Sequence, residues 1–114
     1  MNSTSAGSAA EQAVAEYLQS QGYKIIEMNW KTSFAEIDIV TEKCGILYFV
    51  EVKYRHSNIA GDGFDYITSK KLHHMKRAAE AWVLAHKWAN SYELMAAAVT
   101  KNDQSFEIEL RDII

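Results

Sequence analysis

One stretch, Ile46-Leu47-Tyr48-Phe49-Val50-Glu51-Val52-Lys53, decides the fold of this chain. A near-continuous apolar run of this length predicts a strand that is buried on both faces. Because side chains alternate along a strand, Glu51 and Lys53 are expected on the face of Phe49, with Val50 on the opposite face. Burying an unpaired charge is costly. The carboxyl end of this strand is therefore expected to open into a polar cleft.

A second strand is predicted just before it, over residues 34–40. Alternation places Glu36 and Asp38 on one face of this strand. Ile37 and Ile39 then share the opposite face. Taken alone, the two carboxylates fit the solvated face of a half-exposed strand equally well.

A short turn at Cys44-Gly45 joins the two predicted strands into a hairpin. The hairpin brings Asp38, Glu51 and Lys53 together, which places two oxygen ligands for a hard cation beside one positive charge. This combination is typical of metal-assisted phosphodiester cleavage.

The same residues resemble a known signature. Asp38 followed by Glu51-Val52-Lys53 resembles the Asp…Glu-x-Lys pattern of the PD-(D/E)XK nuclease superfamily. Their flanks resemble the YraN-like family of small predicted endonucleases, which are relatives of archaeal Holliday junction resolvases. The segments that carry this resemblance are Gly7–Glu11, Tyr17-Leu18, Gly22-Tyr23, Asn29, Glu36–Val40 and Phe49–Arg55.

The resemblance implies an α/β fold with a restriction-endonuclease-like core and a catalytic set of Asp38, Glu51, Lys53 and Glu11. It further implies that Mg²⁺ or Mn²⁺ is held by Asp38, Glu51, the Val52 carbonyl and Glu11. The implied substrate is nucleic acid, DNA rather than RNA, with branched DNA as one form, and a homodimer is left open.

Two departures from the family pattern leave an alternative function open. Ala35 stands where the family usually has Gly, and Tyr54 where a small residue is usual. Neither position is a metal ligand. The alternative is a nucleic-acid-binding module that keeps the nuclease fold and does not cut.

Glu11 has two interpretations. Apolar periodicity predicts a first helix over residues 8–21, ended by Gly22. Glu11 lies beside the apolar stripe of this helix, from which it can lean over the sheet toward the site. Alternatively, Ser8-Ala9-Ala10-Glu11 is a capping box, in which Glu11 bonds back to the amide of Ser8.

A second helix is predicted over residues 68–87, with Thr68 or Ser69 as its cap. Its first turns carry many cations, which oppose the helix dipole and favour an anionic partner. A solvated cationic face is the alternative. We expect the nucleic-acid contacts to come from Arg55, Lys70, Lys71, Lys76 and Arg77.

The remaining segments complete one domain over residues 1–114, in the order α-β-β-β-α-β-β. A first strand is predicted over 23–28 and a polar turn over 29–33. Trp30, beside that turn, fits a base-stacking residue or the lid of a core. Residues 54–66 are predicted to form a mobile loop at the cleft, and two late strands to cover 94–100 and 105–110.

Composition limits the remaining classes. The net charge of −3 gives no overall attraction to nucleic acid, so any binding must use a local basic patch. The single cysteine excludes an internal disulfide and fits a reducing cytoplasm. We find neither a secretion signal nor an apolar run of membrane-spanning length, so a cytoplasmic protein without membrane contact is expected.

Overall fold

The computed structural model of the protein describes residues 5–55 and 64–113, which form two helices and five strands. In chain order these are α1 (Ser5–Ser20), β1 (Lys24–Lys31), β2 (Glu36–Lys43), β3 (Ile46–Arg55), α2 (Ser69–His86), β4 (Tyr92–Lys101) and β5 (Phe106–Asp112). The predicted order α-β-β-β-α-β-β is confirmed. Residues 56–63 of the predicted mobile loop lie outside the described residues.

The five strands form one mixed sheet in the order β1-β2-β3-β4-β5. Only β3 and β4 run parallel, and α2 makes the connection between them that a parallel pair requires. The other neighbouring pairs are antiparallel. This is the α/β arrangement of a restriction-endonuclease-like core, as the sequence predicts. Neither described helix is both long and apolar enough for a membrane span.

The two helices cover opposite faces of the sheet, and β3 contributes to both. Val50 packs in the cluster around α1, with Val14 and Leu18. Phe49 packs in the cluster around α2, with Trp82. The alternation predicted for β3 is therefore confirmed, and Glu51 projects from the face that α2 covers.

Two glycine-containing turns place these elements. Cys44 and Gly45 have φ angles of 54° and 81°, and they form the two-residue loop between the paired Lys43 and Ile46. Positive φ at both loop positions matches the twist of a tight hairpin. At the end of α1, Gly22 has φ 94°, so it ends the helix as predicted.

Several predicted boundaries are wrong. Tyr54 and Arg55, predicted to begin the loop, are the last residues of β3. Helix α1 begins at Ser5, three residues before Ser8, so Ser8 is not its N-cap and the capping box is excluded. Strand β1 continues to Lys31, because Asn29 is accommodated within the strand at φ 54° instead of opening a turn. Strand β2 starts at Glu36, and the turn is confined to the residues between these two strands.

Candidate metal and nucleic-acid site

The site forms where β2 and β3 separate. Their described pairing ends at Ile39 and Val50, whereas Ile37 pairs only with β1. Just beyond the last pair, Oδ2 of Asp38 accepts a hydrogen bond from the backbone N–H of Val52 at 2.8 Å. The Asp38 side chain thus accepts the hydrogen bond that a backbone carbonyl of β2 would accept in a regular ladder. The bond also connects Asp38 to β3.

The separation coincides with a change of face in β1 and β2. Met28 packs in the α1 cluster and Trp30 in the α2 cluster, although they lie two residues apart. Their partners Ile39 and Ile37 divide in the same way. The prediction that Ile37 and Ile39 share a face is therefore wrong.

The backbone of Asn29 accounts for this change of face in β1. Asn29 lies between Met28 and Trp30, opposite Asp38, and its φ of 54° is left-handed. Asparagine tolerates this conformation better than most residues. Simple alternation assumes an extended backbone at every position, so it fails here.

Asp38 lies in an unusual electrostatic environment. Its side chain is buried, and burial is the main cause that raises its pKa to about 7. The bond from Val52 lowers the pKa, while the charges of Glu51, Glu11 and Glu36 raise it further. Four carboxylates from α1, β2 and β3 therefore act on one another at this end of the sheet.

Glu11 reaches this group from α1. Burial raises the pKa of its carboxyl, a hydrogen bond with the Asn29 side chain lowers it, and the charges of Glu36 and Glu51 raise it. Glu11 therefore leans toward the sheet, which is the first of its two predicted interpretations. The residue that changes the face of β1 is also the residue that holds Glu11.

Glu51 forms an ion pair with α2. Its Oε2 lies 2.9 Å from Nζ of Lys71. Thr68 is the N-cap of α2 and accepts a bond from the N–H of Lys71 at 3.1 Å, which fixes the start of the helix. The sequence predicts Lys71 as a nucleic-acid contact, whereas in the structure its ammonium pairs with Glu51, a candidate metal ligand.

Lys53 lies against a residue that sequence reasoning missed. Its Nζ is 5.8 Å from the ring centre of Tyr66, within the range of a cation–π contact. The Tyr66 hydroxyl is buried without a hydrogen-bond partner in the described structure. Burial and the charges of Glu51 and Asp38 raise the pKa of Tyr66. Tyr66 occurs in a polar, loop-like segment, and nothing in that pattern signals its position at the site.

The donor set suits a hard, partly hydrated cation. Among the described residues, no three His, Cys, Asp or Glu side chains come together as a complete metal cage. Mg²⁺ does not need such a cage, because it usually keeps several waters and takes one or two carboxylates. Asp38 and Glu51 provide two carboxylates, and their repulsion with Glu11 is the kind that a cation relieves. The residues therefore fit Mg²⁺ or Mn²⁺.

A groove of about 440 Å³ leads away from these carboxylates, between the β1–β2 turn and α2. Its lining includes the cations Lys31 and Lys71, the imidazole of His74, and the carboxylates Glu36 and Glu51. The other predicted nucleic-acid contacts do not line the groove. Their positions relative to it follow from helix periodicity for the residues of α2 and from strand position for Arg55.

Lys70, His74 and Arg77 follow one another along one exposed face of α2, next to the groove. Lys76 lies on the other flank of the helix, where it lines a separate depression with Tyr92. Arg55 ends β3, opposite Thr100. The structure therefore divides the α2 residues of the predicted basic patch into two parts, and Arg55 lies on β3.

This α/β domain thus has a restriction-endonuclease-like core and an acidic site at the open end of its sheet. The chain belongs to the family described as Uncharacterised protein family UPF0102, whose sequence profile matches residues 10–108. The predicted membership of the YraN-like family is confirmed.

Similar proteins cover most of the chain. A UPF0102 protein of Cytophaga hutchinsonii is 34% identical over 107 residues, which are 94% of this chain and 93% of that protein. A UPF0102 protein of Flavobacterium psychrophilum is 35% identical, over 90% of this chain and 87% of its own length. One from Nitrobacter winogradskyi is 39% identical, over 77% and 73% respectively.

Proposed function

We propose that this protein is a metal-dependent nuclease that hydrolyses phosphodiester bonds in nucleic acid, with DNA as its substrate. One observation carries the proposal. At the open end of the sheet, Asp38 is held by the Val52 backbone while the charges of Glu51 and Glu11 act on it. A buried carboxylate on which neighbouring like charges act is costly unless a cation compensates it.

The cation would be held by Asp38, Glu51, the Val52 carbonyl and, on the α1 side, Glu11. When bound, Mg²⁺ or Mn²⁺ supplies a Lewis acid for the phosphate and lowers the pKa of a water. The hydrogen bond from Val52 keeps Asp38 oriented, since the N–H holds one of its oxygens. Asp38 must lose its proton to serve as a ligand, so its raised pKa links metal binding to pH.

Lys53 is the residue best suited to stabilise the transition state. Its ammonium is exposed, lies on the same strand face as Glu51, and contacts the Tyr66 ring. A positive charge at this position offsets the negative charge that develops on the phosphate oxygens during cleavage. The ring contact leaves all three N–H donors of the ammonium available, because a cation–π contact uses none of them as a conventional hydrogen bond.

The cations along the groove supply affinity for the backbone. Lys71 lines the groove, and Lys70 and Arg77 share an exposed face of α2 with His74, which also lines it. Contacts to phosphate oxygens position a nucleic acid without reading its sequence. A local patch of this kind is needed because the chain as a whole carries a net charge of −3.

The experiment is single-turnover cleavage of duplex, single-stranded and branched DNA in Mg²⁺ or Mn²⁺, with binding measured in parallel. We expect the parent to cut, Glu51→Gln to lose cleavage, and Lys53→Ala to bind normally but cut about 10²–10³-fold more slowly, as when one transition-state donor is removed. Glu107→Gln, on the exposed side of β5, is the matched control. Binding without cleavage in any metal would favour the non-cutting nucleic-acid-binding module.

A further inference from the structure

Phe34 is a large aromatic side chain that projects into solvent beside the groove. It is 84% exposed, and only Leu84, at 81%, is comparable among the large apolar side chains described. Phe34 belongs to the turn between β1 and β2, which is held by a hydrogen bond from the Thr32 N–H to the Ala35 carbonyl at 2.8 Å. The N–H of Phe34 also donates to Oγ1 of Thr32 at 3.3 Å. The ring is thus displayed by an ordered turn.

The surroundings of Phe34 include lysines on both walls of the groove and are continuous with the acidic site. The same groove is lined by Phe34 and Lys31 on one wall and by Lys71 and His74 on the other. Glu51 lines it as well, so the groove connects the ring with the candidate metal ligands. An exposed apolar residue alone needs no explanation. An exposed ring beside Lys31 and across from Lys71, in a groove that leads to this site, is complementary to a base with its flanking phosphates.

The ring can distinguish paired from unpaired nucleotides. Proteins that bind single strands combine a basic groove with aromatic rings on which bases stack. In an intact duplex, each base face is already covered by its neighbours, so a protruding ring has nothing to stack on. An unpaired nucleotide at a flap, gap or branch offers a free face.

We propose that Phe34 is a base-stacking platform that selects DNA with an unpaired nucleotide beside the phosphate in the acidic site. The inference rests on the proposed function, because it takes nucleic acid as the ligand of the groove. Lys31 and Lys71 would contact the phosphates that flank the stacked base. Trp30, the aromatic residue that the sequence suggested for stacking, instead packs in the α2 cluster and against His86.

The test uses a gapped duplex whose single unpaired base is 2-aminopurine, a fluorescent base that stacking quenches. The same strand annealed as a full duplex is the reference. Binding is measured in Ca²⁺, an oxygen-binding divalent cation. We expect the parent to quench the gapped probe and Phe34→Ala to lose this quenching. Its affinity for the gapped probe should fall about 5- to 150-fold, as expected for one base–aromatic stack of about 1–3 kcal/mol.

Matched variants make the result decisive. Phe34→Trp should retain quenching, and Leu84→Ala, which removes an equally exposed apolar side chain outside the groove, should behave as the parent. If Phe34→Ala binds both probes as the parent does, or weakens both equally, the stacking inference is overturned. Cleavage in Mg²⁺ is scored separately. If the parent never cuts but Phe34→Ala still loses selectivity for the gapped probe, the stacking inference stands. The proposed nuclease activity is then refuted.

Discussion

The carboxylate of Asp38 and the backbone N–H of Val52 are joined by a 2.8 Å hydrogen bond immediately past the last paired residues of β2 and β3. This bond holds the buried carboxylate of Asp38, a residue of β2, against β3, the strand that carries Glu51 and Lys53. It ties Asp38 to the residue whose carbonyl is proposed as a third metal ligand. The point where β2 and β3 separate is therefore also the point that positions Asp38 as a candidate ligand. The neighbouring carboxylates repel its charge at the same place.

The first prediction concerns pH. The pKa of Asp38 is raised from 3.8 to about 7, so the folded state binds a proton that the unfolded state releases. The stability contributed by this proton is fully present below about pH 4 and is lost as the pH rises through 7. Asp38→Asn keeps an acceptor for the Val52 N–H and cannot ionise. With a metal chelator present, the free energy of unfolding of Asp38→Asn at pH 8 should exceed that of the parent by at most about 4 kcal/mol.

Urea unfolding of parent and variant at pH 5 and pH 8 measures this difference. The gain should be clearly smaller at pH 5, where Asp38 of the parent is largely protonated in the fold. Glu107→Gln, an exposed carboxylate on β5, should show no comparable pH-dependent gain. An equal Asp38→Asn effect at both pH values would mean that the buried charge does not govern the stability of this site.

The second prediction concerns metal binding without substrate. Mn²⁺ should stabilise the folded protein by mass action, by about 2.7 kcal/mol when its concentration is 100 times Kd. Glu51→Gln should remove this gain, and so should Asp38→Asn. Removing the ion pair of Glu51 with Lys71 should by itself change stability by about 1 kcal/mol or less, because the pair is partly exposed.

The measurement is the free energy of unfolding as a function of Mn²⁺ concentration, repeated at pH 6 and pH 8. The gain should be weaker at pH 6, because the cation must displace the proton of Asp38. Glu107→Gln is again the control and should respond as the parent does. If Glu51→Gln also responds as the parent does, the cation binds elsewhere.

The sequence was sufficient to predict much of this arrangement because β3 is regular. Its alternation determines that Glu51 and Lys53 share the face of Phe49, and the packing of Phe49 against α2 agrees. The hairpin at Cys44 and Gly45 then follows from the turn residues. The order of helices and strands is also encoded locally, through apolar periodicity and helix-ending residues.

Other features depend on conformations and contacts that no local pattern contains. The left-handed backbone of Asn29 changes the face of β1, and β2 changes face at the paired position, which a period of two cannot describe. Tyr66 reaches the site from outside any periodic element. Phe34 was assigned to a strand, although β2 begins two residues later and leaves the ring exposed. These features are set by tertiary structure, and they include the residues around the proposed site.

The third prediction concerns the buried hydroxyl of Tyr66. A buried polar group without a partner costs about 1–3 kcal/mol of stability. A substitution that deletes such a group also removes this penalty, so its effect on stability is neutral or favourable. Tyr66→Phe should therefore leave stability unchanged or raise it, while the ring contact with Lys53 remains. Urea unfolding measures the change. Tyr17→Phe, which removes a hydroxyl from a 39% exposed residue on α1, should be close to neutral. A loss of more than about 1 kcal/mol in Tyr66→Phe would show that the hydroxyl is hydrogen-bonded in solution.

The fourth prediction separates the two parts of the basic patch. Lys70 and Arg77 share an exposed face of α2 with the groove-lining His74, whereas Lys76 lies on the other flank. If the groove holds the DNA backbone, Lys70→Ala combined with Arg77→Ala should weaken binding across all sequences. It should also reduce the salt dependence of binding by about 1.8 in slope for duplex DNA, which corresponds to two lost phosphate contacts.

The control removes the same charge from positions away from the groove. Lys76→Ala combined with Lys24→Ala changes the net charge equally, and Lys24 lies at the start of β1, at the end of the strand opposite to the site. Its salt slope should stay near that of the parent, because long-range attraction between exposed charges is largely screened at physiological salt. Fluorescence anisotropy between about 50 and 200 mM salt measures both slopes over a range where phosphate contacts dominate affinity. Equal losses in the two double variants would show that net charge, and not the groove beside Lys70 and Arg77, holds the DNA.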